Sequence, residues 1–195
     1  MAHVFLRQWN LPFGLQAYGS KVAAILSLDG DGNRLIPLVS GKCSSEEART
    51  EIAKQKAQDL FPRAKAPDGA LAALWLYFSC SDEAHGIVQD LGTTEGSFWH
   101  AIVHRQEPDP ANSSYWFRRV GTHPVYRSLR SAAEDILQRH PTVVYQAGSP
   151  WDPVSFIDFC ERARVRPGSE EELAALEIQR AEWQLLFDYC ARPRS

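Results

Sequence analysis

The chain has 195 residues, with 21 lysines and arginines against 24 acids and a formal charge of -3. A chain of this length buries a core without help from disulfides or metal. A mixed, slightly acidic surface excludes the basic footprint of a double-stranded nucleic-acid binder, and the short Arg118-Arg119 and Arg162, Arg164, Arg166 series do not supply one.

The opening from Met1 to Gly19 has no basic start followed by a long apolar run, so no secretory leader is expected there. The apolar stretches Val22 to Leu28 and Leu71 to Phe78 fall short of a membrane span. Cys43, Cys80, Cys160 and Cys190 form no CxxC pair and read as small apolar fillers of a reduced protein, and their spacing calls for no zinc site. Cytoplasmic residence is the expectation, with neither membrane nor nucleic acid as partner.

In chain order, the first ambiguity is residues 22–39. Val22 to Leu28 and Leu35 to Val39 flank the turn-forming Asp29-Gly30-Asp31-Gly32-Asn33. A short hairpin fits slightly better than a helix followed by irregular chain, although Pro37 argues against a central strand. Asp29, Asp31 and Asn33 imitate the start of a calcium loop, but Arg34 and Ser40 occupy the required glycine and glutamate positions.

From Ser44 the signals are helical. Ser44 and Glu47 make a capping box for a helix reaching Leu60 and stopped by Pro62. Pro67 opens an all-round apolar segment through Phe78, expected to be the most buried helix. Ser81 caps a short helix ended by Gly92, Thr94 caps Glu95 to Gln106, and Asp109-Pro110 starts another through Arg118. Leu129, Ala132, Ala133, Ile136 and Leu137 give an amphipathic helix ended by Pro141. Asp152-Pro153 and Ser169 open the last two, the final one burying Leu173, Leu176, Trp183, Leu186 and Phe187. Roughly seven or eight helices without a βαβ rhythm predict a mainly α fold: a single domain over residues 1–195, an irregular multi-helix bundle with one short N-terminal hairpin.

The block from Thr94 to His123 concentrates the chemistry. On a helical wheel Phe98, Trp99, Ile102 and Val103 share one arc, while His100 and His104 lie together on the other half, expected to face solvent. Two imidazoles four residues apart reach one ligand, which is why this spacing serves metal sites. Further ligands for a divalent metal are sought from His85, His123, Glu107 and Asp109. Ala101 stands where the metalloprotease motif needs its glutamate base, so that reaction is not implied. A second reading lines a cleft for a small anionic molecule with Arg105, Trp116, Arg118 and Arg119. A third makes the histidine face a subunit contact in a structural or assembly protein.

The stretch Glu95-Gly96-Ser97-Phe98-Trp99-His100-Ala101-Ile102-Val103-His104-Arg105, with Glu107-Pro108-Asp109 and Tyr115 to Gly121, resembles the signature block of a bacterial and fungal family of small helical proteins. Leu74 to His85 and Glu182 to Cys190 are also similar to segments of that family. The resemblance carries no activity with it. The function expected from the residues is a small enzyme or metal-binding protein using His100 and His104, with a non-catalytic binding module and an assembly protein as alternatives.

Overall fold

The computed structural model describes residues 14–193, so the reading of the opening stretch as leaderless lies largely outside them. Among the described residues there are ten α-helices and no strand. None of these helices is long and apolar enough to cross a membrane.

Helix α1 spans Ser20–Leu26. The hairpin expected over residues 22–39 is absent; the first run is helical and the second irregular. Gly30, Asp31 and Gly32 all take positive φ, and the backbone beyond them is satisfied by side chains instead of a ladder. Tyr77 Oη accepts from the Gly32 and Arg34 N–H groups at 3.0 and 3.1 Å. Gln179 Nε2 donates to the Ile36 carbonyl at 2.8 Å, and Gln184 Nε2 to that of Gly32 at 2.9 Å. Buried backbone needs partners of some kind, and here Tyr77 and two glutamines of the last helix provide them.

Helices α2 (Glu46–Ala53) and α3 (Ala57–Leu60) replace the continuous helix expected up to Leu60. The cap of α2 is Ser45, which accepts from Ala48 N–H; Ser44 instead bonds Asp29. Helix α4 (Pro67–Tyr77) is the anticipated central helix, buried on nearly every side. Helix α5 (Ser81–Val88) follows, with Cys80 rather than Ser81 in the capping position. Helix α6 (Thr94–Gln106) is capped by Thr93, whose side chain accepts from Gly96 N–H at 3.0 Å. Gly96 is required there: a Cβ would stand 2.6 Å from the Leu91 carbonyl oxygen.

Helices α7 (Pro110–Val120), α9 (Pro153–Arg164) and α10 (Glu170–Ala191) start where their proline and serine signals place them, while α8 (Val125–Arg139), read only from its apolar stripe and its stop at Pro141, begins directly after Pro124. Leu173 is largely exposed, whereas Trp183, Leu186 and Phe187 are in the core as expected. Helix α10 packs on α4, α8 and α9; α6 lies against α4, α5 and α7. This placement matters for the site, because α6 has neighbours on several sides and all of Gly96 to Gln106 is buried.

Two cysteines depart from the expected filler role. Cys43 and Cys80 are joined in a disulfide, while Cys160 and Cys190 are free and buried.

Candidate metal centre

Helix α6 presents His100 and His104 one turn apart, and α5 lies across them with His85. His100 Nε2 is 3.0 Å from His85 Nε2. The His100 and His104 rings stack at 4.7 Å between centroids, and His85 stands edge-on to both at 4.8 and 5.1 Å. One ligand atom from each of the three lies within 4.8 Å of the others. Tetrahedral zinc with bonds of about 2.0–2.1 Å sets its nitrogens about 3.3 Å apart, so small side-chain rotations bring this trio to coordinating distance.

The wheel placed the pair on a polar, solvated face; the structure buries it. His100 is 4% exposed and His104 9%. The reason is tertiary: α5 covers the half that one helix alone would leave wet. Burial, then the charges His104 and His85 would carry, push the His100 imidazole down to about 4. It is therefore neutral near pH 7, the form that ligates metal. Its Nδ1 has no hydrogen-bond partner, and Trp116 stacks on its ring at 4.0 Å.

Glu107, the residue that ends α6, lies against the outer edge of the trio. Its carboxylate is 2.9 Å from His104 Nδ1, off the line of a linear hydrogen bond, and 3.5 Å from His85 Nδ1. The carboxylate stands beside the Nδ1 atoms of both imidazoles, the position from which an outer-shell partner supports metal-bound histidines. His85 and Glu107 side chains remain 33% and 31% exposed, so one side of the centre is open to solvent.

The other proposed ligands stay out. Asp109 caps α7, accepting from Asn112 N–H at 3.0 Å and Asn112 Nδ2 at 2.7 Å, and the first of these bonds lowers its pKa. His123 is buried among Phe98, Tyr126 and Tyr189, away from the trio, with its Nδ1 accepting from Val125 N–H at 3.3 Å. Asp109 is held by its cap bonds, and His123 by the Val125 bond and its aromatic neighbours, with its Nε2 unpartnered.

The expected anion cleft is divided. Arg105 is fully buried on the far side of α6, where it pairs with Glu182 of α10, donates to Gln179 Oε1 at 3.3 Å and sits 4.7 Å above the Phe156 ring. Nothing near it in sequence signals the partner, 77 positions away. Arg118 is on the exposed surface. Trp116 and Arg119 remain together beside the histidines, the guanidinium 5.2 Å from the indole ring. No family model, curated protein or solved structure matches this chain. The functional reading therefore rests on the site itself.

His123 gives an independent pH prediction. Burial pushes its pKa from 6.5 down to about 4; the smaller charge effects of Glu95, which raises it, and Lys65, which lowers it, oppose each other. Protonation then favours the unfolded chain, so stability present above pH 6.5 is lost as pH falls through about 4. A displacement of this size corresponds to about 3 kcal/mol. In His123→Asn the side-chain oxygen can still accept from Val125 N–H, but it does not titrate. Urea unfolding at pH 7 and pH 4 is expected to show the wild type losing about 3 kcal/mol more than His123→Asn; equal losses would remove the effect assigned to His123.

Proposed function

We propose that this protein binds one divalent metal ion, zinc before others, through His85, His100 and His104, and offers the remaining coordination position to water or a small anion. The observation that carries this reading is the convergence of three imidazoles from two helices within 4.8 Å. Imidazole donors without thiolates suit zinc and its neighbours in the first transition row, whereas calcium and magnesium prefer oxygen cages. Three protein ligands beside an open side fit a reactive centre better than a closed structural one.

A metal held there would acidify bound water and polarise an oxygen of a bound anion. The chain's own contribution is positional. Glu107 orients His85 and His104, and Trp116 fixes the plane of His100. Arg119, held over Trp116, supplies positive charge on the Trp116 side of His100. The small-enzyme reading follows from that open side; His100 and His104 are already covered by their own chain, which weakens the assembly alternative.

Cobalt(II) titration tests the reading. Visible ligand-field absorption typical of a four-coordinate nitrogen-rich site is expected to saturate at about one equivalent. It should disappear in His104→Ala and be displaced by zinc. Absorption that neither saturates nor depends on His104 would overturn it.

A further inference from the structure

The centre just described is assembled from two helices, and one of them, α5, begins at a residue covalently cross-linked to the chain segment around Cys43. We propose that the Cys43–Cys80 disulfide gates metal retention, holding the site closed when oxidised and loosening it when reduced. This inference rests on the three-histidine reading and deepens it.

Cys80 is the residue from which α5 starts, five positions before His85, and its side chain makes no capping bond. Helix α5 has eight residues, too few to persist without packing. Its position, and with it that of His85, is therefore set by what fastens it to the rest of the molecule. Cys43 lies in a strap that touches both ligand-bearing helices. Ser40 N–H donates to the Gln106 carbonyl at 2.6 Å, directly before Glu107. Ser44 N–H donates to the Phe78 carbonyl at 2.7 Å, just ahead of Cys80. The strap thus runs from the end of α6 to the start of α5, and the disulfide locks its second end. An ion pair between Arg49 and Glu83, at 2.6 Å, is the other tether of α5 toward this side, but it is exposed and contributes little.

Access to the two sulfurs is unequal. Cys43 is partly exposed and Cys80 is 2% exposed. A small dithiol reductant attacks Cys43 Sγ through its thiolate, forming a mixed disulfide as the Cys80 sulfur leaves and takes up a proton. The second thiol of the reductant then closes on the first and releases Cys43 as the thiol. Two electrons and two protons pass to the protein, and the reductant leaves as its cyclic disulfide. Cys160 and Cys190 are buried free thiols and take no part. Opening the bridge removes the covalent link between the strap and the start of α5, leaving packing, the Ser44–Phe78 backbone bond and the exposed Arg49–Glu83 pair to hold His85 in place, so the three nitrogens converge for a smaller fraction of the time.

The test compares zinc affinity of the full chain oxidised, reduced with a phosphine that lacks thiols, and as Cys43→Ser/Cys80→Ala. Hydrogen exchange of the α5 amides is followed alongside. The expectation is zinc binding weaker on the order of tenfold in the reduced and double-variant proteins, with faster exchange confined to α5 and the strap. Zinc bound equally or more tightly after reduction would overturn the gate while leaving the three-histidine centre standing. An oxidised protein that binds no zinc would overturn both.

Discussion

Removing the Glu182 carboxylate alone, as in Glu182→Leu, is expected to lower the unfolding free energy by about 3–5 kcal/mol. Arg105 and Glu182 side chains are both fully buried, and each is the other's ionic partner. The Gln179 amide and the face of Phe156 complete the surroundings of the guanidinium, while Arg105 Nε and Nη1 and Glu182 Oε1 have no protein partner. Truncating one member leaves a desolvated charge with nothing opposite, which is far costlier than losing an exposed pair. The paired replacement Arg105→Met/Glu182→Leu removes both charges and keeps apolar volume, so most of the loss is expected to return. Chemical denaturation of the two singles and the double forms a mutant cycle with a coupling of several kcal/mol. Additive costs would show that the pair does not join α6 to α10 energetically.

The second large effect concerns the metal. Zinc at about a thousandfold excess over its dissociation constant should raise stability by about 4 kcal/mol. His100→Ala is expected to abolish that increment. Because His100 is buried, the alanine variant loses some stability even without metal, and the informative quantity is the difference between metal-free and metal-loaded protein. Glu107→Gln keeps side-chain volume but weakens the acceptor facing two imidazoles. Its zinc affinity should fall by about 10–100-fold with the fold intact. An undiminished increment in His100→Ala would place zinc elsewhere on the chain.

These expectations show where the sequence was informative. Pro67, Pro110 and Pro153, with Asp109, Asp152 and Ser169 as caps, gave helix starts that the structure reproduces, because the signals are local: a fixed φ and an oxygen positioned for orphan N–H groups. Where two capping residues adjoin, as at Ser44-Ser45, spacing alone selected the wrong one. Residues 22–39 were ambiguous for another reason: a short apolar run fits a strand or a buried helix equally, and the bonds from Tyr77, Gln179 and Gln184 that satisfy the backbone of Gly32 and Ile36 without a ladder come from far along the chain.

The candidate site was half legible. The i, i+4 pair and the inclusion of His85 and Glu107 followed from residue type and proximity in sequence. Their burial did not, since a wheel describes one helix and α6 is covered from several directions. For the same reason Arg105 was assigned to an anion cleft, whereas it is buried against Glu182 of α10. Asp109 and His123 have suitable chemistry for ligands, but a cap and an aromatic pocket hold them away. The Cys43–Cys80 pairing had no signature in spacing, as connectivity is a property of the folded chain.

Zinc K-edge X-ray absorption on the oxidised, stoichiometrically loaded protein tests the central claim most directly. The account predicts three imidazole nitrogens at about 2.0–2.1 Å with one oxygen or other exchangeable ligand, reduced to two imidazoles in His85→Ala. A shell dominated by sulfur, or one unchanged when His85, His100 or His104 is replaced, would contradict it.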